Sequence, residues 1–197
     1  MAKTPASRSF PPLPALQWDG FSWSGTDLFP SWAGFQSRLG PYASVNKKKP
    51  SKGEAKVSVC APGGGGDAPA EKADPDTSQV KAYQCLKEHE EAVARSVRKA
   101  IFDLYTQKLC AEYREAGVEE EFAPEIGSPD ELRTLIGLTT VHVLGIAKSK
   151  VAYIGFEFGC TWDDEHGIGV MTHKERIVEV GGADCSFLGW IAEKDAH

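Results

Sequence analysis

From Ser78 onward apolar residues recur with a helical period. Val80, Tyr83, Leu86, Val93, Val97, Ile101, Leu104 and Leu109 fall on one broad stripe, and Glu91 and Arg95 add an i,i+4 ion pair. The spacing predicts one long amphipathic helix over about residues 79–115, ended by Gly117. Ser128-Pro129-Asp130-Glu131 then reads as a helix start, with Ser at the N-cap and Glu at the capping-box position, opening a short helix to about Ile136.

Beyond Gly137 the pattern changes. Leu138 to Ala147, Val151 to Trp162, Gly167 to His173 and Arg176 to Gly181 are runs rich in Val, Ile, Phe and Thr, joined by short polar stretches. Connections this short require antiparallel neighbours. A last helix over about Ala183 to Lys194 carries Phe187, Leu188, Trp190 and Ile191 on one side. The fold class is therefore α+β: an antiparallel meander of four strands, or more, packed on one long helix, with a short C-terminal helix.

Register can be argued from side-chain alternation. Ile154, Phe156, Phe158 and Cys160 form the core set of one strand, and Ile168, Val170 and Thr172 that of the next. The two sets share a face only if paired residue numbers sum to an even value, so the connecting loop is odd in length. Residue 162 then pairs with 168 or with 166, and the first of these puts Glu157 opposite His173 on the second face, beside Gly155, Gly159, Gly169 and Met171. A face this poor in side chains lets another piece of chain or a ligand approach closely. The expected cover is the aromatic-rich segment Trp18 to Tyr42. The alternative is a shallow pocket with Glu157, His173 and Trp162 at its edge.

That aromatic segment holds three of the five tryptophans, and its glycines and prolines interrupt it too often for a long helix. Residues 1–17 read as a Pro-rich lead, and 18–197 as a single domain. Within it lies a flexible insertion at about 44–78 that contains a short strand at Lys56 to Cys60, a basic run around Lys47 to Lys56 and four adjacent glycines at 63–66. The Gly run lacks the flanking residues of a phosphate-binding loop.

Charge refines this picture. The chain of 197 residues carries a net −6, but residues 1–59 hold eight Lys or Arg against three acids, so the remainder is −11. Such acidity argues against nucleic acid as the partner, and no run is long enough and apolar enough to span a membrane. Five scattered cysteines without a C-x-x-C pair, and an N-terminus without the apolar centre of a secretory signal, predict reduced thiols in a cytoplasmic protein.

The densest group of potential ligands is Asp163-Asp164-Glu165-His166. Carboxylates and imidazole converging in a turn can hold a divalent metal or move protons, although no Ca²⁺-loop or zinc-hydrolase spacing surrounds them. Equally, Asp side chains can bond loop amides while the His packs on Trp162, a purely structural turn. His89 and His142 read as surface or core histidines. No nucleophile elbow, Walker motif or dinucleotide fingerprint occurs.

Phe29-Pro-Ser-Trp-Ala-Gly-Phe-Gln-Ser-Arg38 with Gly40-Pro-Tyr42, Ile136-Gly-Leu138, Tyr153 through the Gly-Phe-Glu-Phe-Gly-Cys-Thr-Trp-Asp-Asp-Glu-His-Gly hairpin to Gly167, and Gly181-Gly-Ala-Asp184 together resemble a family of uncharacterised bacterial proteins known as a domain of unknown function. Analogy with small bacterial immunity domains implies a binding role. The expectation is a non-enzymatic protein-binding domain of undetermined oligomeric state and without a cofactor. Its alternative is a divalent-metal-dependent hydrolase using Asp163 to His166.

Overall fold

The computed structural model describes residues 7–38, 44–45, 49–66 and 72–197. Seven strands form one sheet: β1 (Gln17–Trp18), β2 (Trp23–Leu28), β3 (Glu54–Val59), β4 (Ile136–Lys148), β5 (Val151–Cys160), β6 (Ile168–His173) and β7 (Arg176–Gly181). They lie side by side in chain order, and every pair is antiparallel except β3 with β4. That parallel step follows from connectivity, because the helical segment lies between those two strands in the chain and returns it to the same end of the sheet.

The helical segment is not one long helix. α1 (Thr77–Glu88) stops at His89, whose φ of −119° and ψ of 24° leave the helical region, and α2 (Glu90–Leu104) starts anew. A π-helical turn at Tyr105–Leu109 then leads into α3 (Cys110–Glu115). The break falls where the apolar stripe fails, between Leu86 and Val93. Polar residues there bond another element instead: Lys87 Nζ donates to Leu28 O at 2.5 Å, and Glu90 accepts from the Ser31 amide at 2.9 Å. α1 begins with a complete capping box, Asp76 accepting from Gln79 N and the Gln79 side chain returning to Asp76 N. The expected helix at 128–136 is a 3-10 turn, Pro129–Thr134, in which the Glu131 carboxylate accepts from Gly127 N and Ser128 Oγ.

The helices cover one face of the sheet. Val57, Val141, Phe156, Phe158, Ile168 and Val170 are buried there against Tyr83, Val97 and Ile101. The aromatic segment joins this side rather than the glycine face: Trp32 lies 4.8 Å from Phe158 and 5.1 Å from Phe35, ring centre to ring centre, and β2 brings Trp23 into the same core. Leu13 and Leu16 of the N-terminal lead are buried too, Leu16 lying against Gly25.

The second face is covered by the C-terminus. A 3-10 turn, Ala183–Ser186, lays its backbone over Gly155 and Gly169, and α4 (Gly189–Ala196) packs Ile191 and Ala192 on Leu144, Tyr153 and Met171. On this face the aromatic segment approaches Gly137, through Gln36 O. Of the expected insertion, residues 46–48 and 67–71 lie outside the described residues, as do Gly40 to Tyr42. Gly63 to Gly66 are tied down, Gly63 N to Gly145 O at 2.8 Å and Gly66 N to Phe187 O at 2.8 Å. Among the described residues no helix is long and apolar enough to cross a membrane.

Candidate functional site

The β5–β6 register keeps the even sum but not the expected offset. Phe158 faces Ile168, so nine residues, 159–167, separate that pair. Glu157 therefore faces Gly169, not His173, on β6. Its carboxylate reaches across to β4, where Oε2 lies 2.8 Å from His142 Nε2. His142 Nδ1 is buried without a partner, the ring lies 5.3 Å from that of Phe187, and Ser58 is its register neighbour on β3. The Ser58 hydroxyl donates to Ser22 Oγ at 3.0 Å, away from the imidazole, so no nucleophile–base pair is assembled. His173 sits at the far end of the same face, its Nε2 3.0 Å from Lys148 O and 3.2 Å from Val151 O.

In the long β5–β6 loop, Asp163 organises the chain around itself. Oδ1 accepts from the His166 amide at 2.9 Å and lies 3.0 Å from His166 Nδ1, and Oδ2 accepts from the Tyr113 hydroxyl of α3 at 2.6 Å. Burial alone would raise the Asp163 pKa, but these hydrogen bonds outweigh it and hold the carboxyl below its ordinary value. Asp164 turns the other way and accepts from Arg38 Nη1 at 2.9 Å, its own side chain 71% exposed against a fully buried guanidinium. Glu165 is exposed. His166 is exposed as well, and Trp162 packs on Tyr105, 4.6 Å between ring centres, not on His166. Burial pushes the neighbouring Cys160 thiol up to about 12, which makes it inert at neutral pH. Among the described residues no three His, Cys, Asp or Glu side chains converge as metal ligands.

What this loop does is fix a second one. Residues 112–125, the C-terminal part of α3 and the loop after it, contain Glu112, Glu115, Glu119, Glu120, Glu121 and Glu125 against the single Arg114. Three side chains hold its consecutive carbonyls: Thr161 Oγ1 bonds Phe122 O at 2.6 Å, Arg114 Nε bonds Ala123 O at 2.9 Å and Tyr105 OH bonds Pro124 O at 2.7 Å. Arg114 also pairs with Glu120 at 2.9 Å and Glu125 at 3.3 Å. Ala123 is consequently buried, while Phe122 beside it is 39% exposed and directly follows Glu119-Glu120-Glu121 in the chain. Sequence reasoning registered the acidity of the second half but missed this loop. Its signal was present in the Glu119-Glu120-Glu121 run, placed after Gly117 and before Pro124.

Residues 45–188, which take in the sheet from β3 through β7 and all of α1 to α3, match the family model described as Domain of unknown function (DUF6985). The chain belongs to this family. DUF6985 thus includes both the Asp163 loop and the acidic loop, whereas the aromatic segment at 18–38 and all of α4 lie outside the matched residues. No curated protein and no solved structure matches the chain.

Proposed function

We propose that this DUF6985 member is a non-enzymatic, cytoplasmic protein-binding domain, and that the acidic loop is its recognition surface for a basic protein partner. The observation that supports this reading is the pinning of carbonyls 122, 123 and 124 by Thr161, Arg114 and Tyr105. A loop held at its backbone gives up little conformational freedom on binding. It presents Phe122 as an aromatic anchor in a segment rich in glutamate, which selects a partner carrying lysines or arginines around an apolar socket. The fixed acidity also disfavours nucleic acid, whose phosphates would be repelled. An immunity-type role, in which an acidic domain masks a basic toxin, fits the same chemistry.

The test is a pull-down from a bacterial host with the wild-type domain and with the triple variant Glu119→Lys, Glu120→Lys, Glu121→Lys, followed by calorimetry on the purified partner. The expected result is a basic partner whose affinity falls at least tenfold on charge reversal and again on Phe122→Ala, with most of the charge effect in the association rate and sensitive to salt. A partner that binds the triple variant as tightly as wild type would remove this loop as the recognition surface. Saturable hydrolytic turnover that depends on added Mg²⁺ or Zn²⁺ would replace the binding reading altogether.

A further inference from the structure

At the other end of β5, about 30 Å from the acidic loop along a ten-residue strand, the chain reverses its charge. The β4–β5 connection is Ser149-Lys150, preceded by Lys148 at the end of β4, and the β6–β7 connection is Lys174-Glu175, followed by Arg176. Three of these residues adopt left-handed backbone conformations that favour glycine: Ser149 at φ 53°, Lys150 at 61° and Lys174 at 58°. Hairpin tips of this kind ordinarily carry Asn or Gly. The two-residue hairpins require this backbone, and lysine bears it here at a steric cost that glycine avoids.

The two tips are locked together, since His173 from β6 lies within hydrogen-bond distance of Lys148 O and Val151 O. Between them and α1 lies a cleft of about 730 Å³, bordered by Lys81, Cys85, His89, His173, Lys174 and Arg176. Two carboxylates share the lining: Glu88, which accepts from the Gln84 amide at 2.9 Å, and Glu175, 3.7 Å from His89 Nδ1. Arg176 and Lys148 are held by Asp195, at 2.5 Å and 3.4 Å. Among the described residues no carboxylate lies in ion-pair range of Lys81, Lys150 or Lys174. Two ammonium groups without an ion pair, Lys81 and Lys174, thus border this cleft, on a chain whose net charge is −6.

We propose that this cleft binds a phosphate-bearing small molecule. A phosphoryl group brings about two negative charges and three acceptor oxygens, enough to engage Lys81 and Lys174 together. The cleft has the size of small-molecule sites and is far larger than one phosphate, so Val151 and the aliphatic stems of the lysines receive the remainder of the ligand.

Titration calorimetry on the full chain with sodium pyrophosphate, and with orthophosphate as a second arm, tests this. Pyrophosphate is expected to bind saturably, and at least tenfold more weakly to Lys174→Gly and to Lys81→Ala. Lys174→Gly is the informative variant, because glycine relieves the left-handed backbone: its melting temperature is expected to equal or exceed that of wild type while binding is lost. No saturable uptake by wild type at millimolar pyrophosphate would overturn the proposal. So would undiminished binding by Lys174→Gly, or binding of a glutamate-rich peptide without any binding of phosphate.

Discussion

Gly155→Ala is expected to destabilise the domain by about 3 kcal/mol or more, lowering the melting temperature by about 6–12 °C. Gly155 lies at the centre of the second face, paired with His142 on β4 and Met171 on β6. A Cβ there would overlap the carbonyl of Ser186, which is backbone and cannot rotate away. The methyl group would have to lift the Ala183–Ser186 turn, and with it the start of α4, which seals Leu144, Tyr153 and Met171 from water. Gly181→Ala is the control. Its Cβ would meet only the Cys185 Sγ, so a loss of about 1 kcal/mol is expected. Thermal melts followed by circular dichroism distinguish them, and equal melting temperatures for the two variants would show that the C-terminal turn is not the rigid cover of this face.

This glycine face shows how far a single chain can be read. The alternation in β5 and β6 correctly divides core from second face, because one face must bury Ile154, Phe156 and Phe158. Parity, however, leaves the offset open in steps of two. The offset is set by the conformation of the seven-residue loop 161–167 around Asp163, which no alternation records. That is why Glu157 meets His142 and not His173. Likewise, three glycines announce a close approach without naming what approaches. The backbone of residues 183–186 is as good a cover as the tryptophans, and the tryptophans are drawn instead to the larger apolar surface under the helices. The strand boundaries after Gly137 were legible to within about two residues. The pairing of β3 with β4 was not, since it joins Lys56 to Thr140 across the whole helical segment. The helix break at His89 was visible as a gap in the stripe, but ordinary propensity at His89 and Glu90 hid it. The same holds for the site: Asp163 and its neighbours stood out by composition, whereas Tyr105, Tyr113, Arg114 and Thr161 matter through tertiary bonds to an acidic loop.

Asp163→Ala is expected to cost about 2–3 kcal/mol, or about 5–10 °C in melting temperature, because the carboxylate accepts from Tyr113 and from the His166 backbone and lies beside the His166 ring. His166→Ala should stay within about 0.5 kcal/mol of wild type, since its ring is three-quarters exposed and its contact with Asp163 is solvated. The contrast assigns the stabilisation to the inward carboxylate. Because the folded pKa of Asp163 is lowered, its contribution is fully present above the ordinary carboxylate pKa and is lost as the pH falls through the folded value. Urea unfolding between pH 7 and pH 2 should therefore show stability falling less steeply below pH 4 in Asp163→Asn than in wild type. The slope will not vanish, because Asp27 and Asp195 are also held below their ordinary values, by Tyr83 and Lys87 and by Arg176 and Tyr153 respectively. The same substitution frees Tyr113 and loosens α3, from which the acidic loop departs. Partner affinity is then expected to drop several-fold even at pH 7, with the charge of residues 112–125 unchanged. An Asp163→Asn domain that keeps wild-type affinity would separate the loop's shape from the β5–β6 turn and leave its charge alone as the source of recognition.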